Sequence, residues 1–97
     1  MITNSSSIHG APRSGKIEIT SAGTPKSMGS VKSTVGIYVT ADPTNAGSIT
    51  VFPVGGNAAD NLKLYAGDSD FWPVDNLSDL QIDGTDNGDV LYWKGAV

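Results

Sequence analysis

The stretch Asp83-Gly84-Thr85-Asp86-Asn87-Gly88-Asp89 carries the residue types from which a calcium loop is made. Counted from Asp83, oxygen-bearing side chains fall at positions 1, 3, 5 and 7 (Asp83, Thr85, Asn87 and Asp89), with Gly88 at position 6. An EF-hand-type loop closes on a bidentate glutamate at position 12, and here that position is Lys94, a cation. The flanks are strand-like, Leu80-Gln81-Ile82 before and Val90-Leu91-Tyr92-Trp93 after, where a calcium loop of this kind needs helices. Asp, Asn and Gly are equally the residues of a tight turn, and Asn-Gly is a strong hairpin signal. The stretch is therefore read as a hairpin turn joining the last two strands, without metal.

The remaining chemistry is thinner. Asp68, Asp70, Asp75 and Asp79 offer carboxylates in pairs, as glycoside hydrolysis requires. Such a pair needs one carboxyl sheltered in a cleft, whereas these sit among Gly, Ser and Asn and read as solvated loop acids. His9 is the single histidine and lies in a Ser-rich leader with no nucleophile pattern around it. There is no cysteine, which removes disulfides and thiolate metal sites, and no phosphate-binding Gly-rich loop. No catalytic, cofactor-binding or metal-binding residue is assigned, and a non-enzymatic role is expected.

Charge is distributed unevenly over a chain with a net charge of −4. Residues 1–33 hold Arg13, Lys16, Lys26 and Lys32 against Glu18, while residues 34–97 hold Lys63 and Lys94 against nine aspartates. Four scattered cations are too few for a nucleic-acid face, and the acidic remainder opposes one. They suit docking onto an acidic protein surface. No apolar run is long enough to span a membrane, and the first residues lack the blocks of a signal peptide, so synthesis in the cytoplasm is expected.

The elements that would position these groups are short strands. Residues 1–33 read as a flexible basic arm or linker, with one possible strand at 16–20, where Ile17 and Ile19 alternate with Lys16 and Glu18. From residue 34 the texture changes. Val35, Ile37 and Val39 share one face of a strand, and Ser48–Val54 follows after the Asp42-Pro43 turn, with Pro53 marking its end. Leu62 and Leu64 point inward around Lys63; segments 70–74, 77–83 and 89–95 complete the set. Residues 57–64, NAADNLKL, are the best helical candidate and are too short. The expected fold is all-β: a single small antiparallel β-sandwich over 34–97, jelly-roll-like, of six to seven short strands.

An apolar content of 38% is thin for a freestanding domain of 97 residues, which suggests support from a partner or from further copies. The adjacent pairs Phe71-Trp72 and Tyr92-Trp93 each send one ring inward and one outward. Trp72 and Trp93 are taken as the outward members, for a subunit contact or for stacking on a sugar.

The run GIYVTADP, GSITVFPVGG and NLKLYAGDSDFWPVDNLSDLQIDGTDNGDVLYWKG resembles the small β-sandwich head proteins of tailed bacteriophages. The likeness covers about residues 34–97 and consists of strands and turns rather than catalytic residues. It implies a virion structural protein on the capsid surface: a decoration or cement protein bound to the major capsid protein, homo-oligomeric as a trimer or dimer at a symmetry axis. The arm and its Arg13, Lys16, Lys26 and Lys32 would do the docking. A head-fibre base, a neck or tail component, or a glycan- or receptor-binding module is the alternative, and neither nucleic acid, membrane nor cofactor is expected.

Overall fold

The computed structural model describes residues 11–97. It contains eight strands: β1 (Pro12–Glu18), β2 (Lys26–Ser27), β3 (Ile37–Ala41), β4 (Ile49–Pro53), β5 (Lys63–Leu64), β6 (Ser69–Trp72), β7 (Leu80–Gly84) and β8 (Val90–Ala96). Single 3-10 turns at Ala58–Asp60 and Leu77–Asp79 interrupt them, each with an Asn side chain (Asn57, Asn76) accepting from the backbone of its first turn.

The strands form two four-stranded sheets in the orders β1-β8-β3-β6 and β2-β7-β4-β5, with every pairing antiparallel. First pairs with last, second with seventh, third with sixth and fourth with fifth. This is the jelly roll, in which two Greek keys are wound together. The expected all-β sandwich is the fold, with eight strands where six to seven were anticipated.

Alternation builds the core. Ile37 and Val39 of β3 and Leu91 of β8 point inward from one sheet; Ile49 of β4 and Leu80 and Ile82 of β7 meet them from the other. Each of these six is 0% exposed, so a truncation such as Leu91→Ala would cost about 2–5 kcal/mol. β4 departs from simple alternation. Phe52 faces away from Ile49 and Val51 yet is buried, on the side of the sheet where the 58–60 turn packs against β4.

Two inward assignments fail for the same reason. Val35 is 54% exposed and Leu62 is 64% exposed, because β3 starts only at Ile37 and β5 only at Lys63. Gly36, at φ +89°, turns the chain between Val35 and the strand, so the alternation does not reach back across it.

The expected boundary at residue 34 is not a boundary of the fold. β1 runs its whole length alongside β8, from Pro12 opposite Ala96 to Glu18 opposite Val90. Beyond it, Ile19 and Met28 belong to the core cluster, and Ser33 is buried with its hydroxyl donating to the Gly36 carbonyl at 2.6 Å. Residues 12–33 are thus strands and packed loops rather than an arm. The part of the expected arm that precedes residue 11, His9 included, lies outside the described residues.

Candidate docking surface

The Asp83–Asp89 stretch does not join paired strands. β7 belongs to one sheet and β8 to the other, so the segment is a corner between sheets and the hairpin reading is corrected. Its side chains are spent on the fold. Asp83 Oδ1 accepts the N–H groups of Gly23 and Gly84 at 3.0 and 2.7 Å, and Asn87 Oδ1 accepts that of Ala22 at 2.7 Å. Thr85 Oγ1 accepts the Ser48 N–H and donates to Asp86. Asp89 is 4% exposed, and its two oxygens accept the N–H groups of Ala46 and Gly47, each at 2.9 Å. The loop therefore straps neighbouring segments together, a structural use for the oxygens that stand in the order of a calcium motif. Among the described residues no three His, Asp or Glu side chains converge as a metal site would require.

The loop acids differ in setting. Asp68, Asp75 and Asp79 are exposed and Asp70 is half-buried. Asp68 accepts the Tyr65 N–H, and Asp70 accepts the N–H of Phe71 next to it. Asp75 and Asp79 share an open depression with Val35 and Phe71.

The outer face of the β1-β8-β3-β6 sheet is organised differently. Register places its outward side chains in two rows across the four strands. One reads Lys16, Tyr92, Thr40, Ser69 and the other Ser14, Lys94, Tyr38, Phe71. Tyr38, Tyr92 and Phe71 are 50%, 42% and 40% exposed. Tyr38 and Phe71 pack on each other with ring centroids 4.7 Å apart and planes tilted by 50°. Thr40 and Ser69 hydroxyls bond at 2.8 Å. Between Lys16, Tyr38, Tyr92 and Lys94 lies a shallow depression of about 550 Å³.

Tyr92 is held in place. Its hydroxyl donates to Asp42 Oδ2 at 2.7 Å, while Asp42 Oδ1 accepts from the Thr44 hydroxyl and N–H at 2.6 and 2.8 Å. The Thr44 hydroxyl, then the Thr44 amide and the Tyr92 hydroxyl, hold the Asp42 carboxyl below its usual range, with a further contribution from the Lys16 charge. The bond to Asp42 and its negative charge push the Tyr92 phenol up.

Of each adjacent aromatic pair one ring faces inward, as expected, but the assignment is reversed. Trp72 and Trp93 are half-buried and pack against the core; Phe71 and Tyr92 are the outward members. Trp93 shares its parity with Leu91, a periodicity that identifies it as inward from the sequence alone. Tyr38, Tyr92 and Lys94 went unassigned because each belongs to the surface only through pairing with strands distant in sequence, and Asp42 because only the Tyr92 hydroxyl brings it there.

The four basic residues divide. Arg13 and Lys16 lie on β1, at the edge of its sheet. Lys26 lies on β2, at the corresponding edge of the other sheet, and its Nζ donates to the Glu18 carbonyl at the end of β1, 2.8 Å away. Lys32 stands apart, in an isolated bridge to Asn76. Arg13, Lys16 and Lys26 thus gather along one side of the sandwich, while most of the aspartates occupy loops and turns. No helix among the described residues is long and apolar enough to cross a membrane.

Comparison with known proteins returns no match, whether to protein-family models, to curated proteins or to solved structures.

Proposed function

We propose that this chain is a virion structural protein, a decoration or cement protein that docks on the major capsid protein and stabilises the head, without enzymatic activity. The observation that carries this reading is the alignment of Arg13, Lys16 and Lys26 along one edge of an otherwise acidic sandwich, continuous with the open aromatic face around Tyr38 and Tyr92. Tyrosine and arginine are enriched at protein interfaces, and lysines at their rim steer an acidic partner into place. A jelly roll serves capsid proteins, lectins and cupins alike, so the fold is compatible with this role and does not select it. Homo-oligomers at a capsid symmetry axis would add such contacts together, turning a modest affinity per copy into firm attachment.

Heads assembled without the protein should bind the purified chain in a defined number of copies per capsid, less tightly as salt rises. Arg13→Glu with Lys16→Glu should weaken binding; unaltered binding by that double variant would defeat the docking surface.

Recognition of a host glycan by the same face is the second reading, favoured by the exposed rings of Tyr38, Phe71 and Tyr92. It is the weaker one. Both tryptophans face the core, and the Tyr38 and Phe71 rings are tilted against each other rather than laid flat as a stacking platform. A glycan array with Tyr38→Ala and Tyr92→Ala controls separates the two, because a docking protein gives no sugar-dependent signal.

A further inference from the structure

The four edges of the two sheets are unequal. β2 and β5 have two residues each and β6 has four, short enough to offer little to a passing strand. β1 has seven. Its ladder with β8 continues to Ala11, which exchanges both backbone bonds with Val97 at 2.7 and 2.9 Å. Antiparallel pairs alternate between bonded and non-bonded residues, so Arg13, Gly15 and Ile17 turn their N–H groups to β8. Ser14, Lys16 and Glu18 then turn theirs off the edge, where no partner meets them among the described residues. Pro12 shares that outward parity, so its missing N–H takes nothing from the β1–β8 ladder.

From this geometry we infer that β1 is an acceptor edge to which an extended acidic segment of the docking partner adds as a ninth strand. The inference rests on the docking role proposed above and names the chemistry of the contact. A strand alongside β1 continues the rows of the outer face, setting alternate side chains beside Ser14 and Lys16 and the intervening ones beside Gly15 and Ile17. Carboxylates belong at the first set, next to Ser14 and Lys16 and short of Glu18, where the Lys26 ammonium lies at that end of the strand; Arg13, on the parity of Gly15 and Ile17, meets the other end of the second set. Apolar side chains belong at the second set, where they would cover the half-buried Ile17. Glu18 is the one acid on this edge against Arg13, Lys16 and the Lys26 ammonium, so a second copy would bring the same net positive charge to it, and an acidic segment of a different chain is the better-matched occupant.

The test uses the whole protein and a synthetic peptide alternating Asp and Val over nine residues, with a permuted peptide that groups the aspartates and an alternating Lys-Val peptide as controls. The expected result is binding of the alternating acidic peptide alone, with slowed amide exchange at Ser14, Lys16 and Glu18 and unchanged exchange at Arg13, Gly15 and Ile17. Lys16→Glu should weaken it about fivefold or more. Ser14→Pro removes one outward donor while sparing the β8 ladder, and should weaken it as well. Equal binding of the permuted peptide, unchanged exchange at the three outward amides, or no binding up to about 1 mM overturns the inference. Because the exchange measurement is made on the unaltered chain, it decides the matter even where Ser14→Pro fails to fold. Heads that take up a folded Ser14→Pro variant as well as the natural chain would refute the edge and leave capsid docking standing. A peptide seated on β1 of a protein that ignores heads would do the reverse.

Discussion

The indole of Trp93 lies across Gly15, its registered partner in the β1–β8 ladder, so closely that a Cβ on Gly15 would come within 2.8 Å of the ring. A glycine in a strand ordinarily weakens it, but here the missing side chain is the slot that seats the tryptophan. Gly15→Ala should therefore destabilise the protein by about 1–3 kcal/mol through overpacking. Thermal unfolding followed by tryptophan fluorescence should show the midpoint falling by several degrees, about 4–8 °C for each kcal/mol in a domain of this size. A midpoint equal to that of the natural chain would mean that β1 is not seated on Trp93.

Asp89 makes a second prediction about folding rather than binding. Removing its buried carboxylate strands the N–H groups of Ala46 and Gly47, so Asp89→Ala should cost about 2–4 kcal/mol, measurable by urea unfolding. With the neighbouring oxygens also engaged by backbone donors, calcium should not raise the melting temperature and a chelator should not lower it. A calcium-dependent rise would restore the metal reading of the 83–89 stretch.

The Asp42–Tyr92 bond should be visible in titration. A carboxyl whose pKa is depressed by folding contributes stability that is present above its unfolded value and disappears as pH falls through the folded one, so the Asp42 contribution is lost only on the acid side of the ordinary aspartate range. A phenol whose pKa is raised works in the opposite sense: its contribution is full below the ordinary tyrosine value and is lost as pH climbs past the folded one. Ultraviolet titration should place Tyr92 above the usual tyrosine range, and Asp42→Asn should bring it down. No change on that substitution would show that the bond does not persist in solution.

Tyr38 and Phe71 support each other on the open face, and their removal separates surface from core. Phe71→Ala should cost no more than about 1 kcal/mol of stability, since the ring is 40% exposed, yet should weaken attachment to heads measurably. Loss of stability without loss of attachment would make the pair a structural one.

Much of the architecture was legible where alternation is strong. Ile37 and Val39, Leu80 and Ile82, and Leu91 repeat at period two, and each proved to be an inward strand position. The first strand was not legible over Pro12–Gly15, because its inward residues are Arg13 and Gly15, and nothing apolar marks the pattern. The apolar group that completes it, Trp93, is supplied from the far end of the chain. The same distance explains the corner mistaken for a hairpin: Asn87-Gly88 states that the chain turns, but the strand that β8 pairs with is fixed by contacts to β1 and β3. The basic residues were legible as charges in the sequence, yet their arrangement was hidden. Residues read as a loose arm are set in line by the sandwich, and that alignment is what gives the surface its direction.

The proposed docking role is tested most directly by a reconstruction of phage heads assembled in the presence of this protein. The account predicts a copy of the eight-stranded sandwich on each of its sites on the head, with β1, Lys16 and the Tyr38–Tyr92 face turned against the capsid and the Asp83–Asp89 corner away from that contact. A sandwich attached by its other sheet, with Arg13, Lys16 and Tyr92 facing solvent, or a head without it, would contradict the central claim.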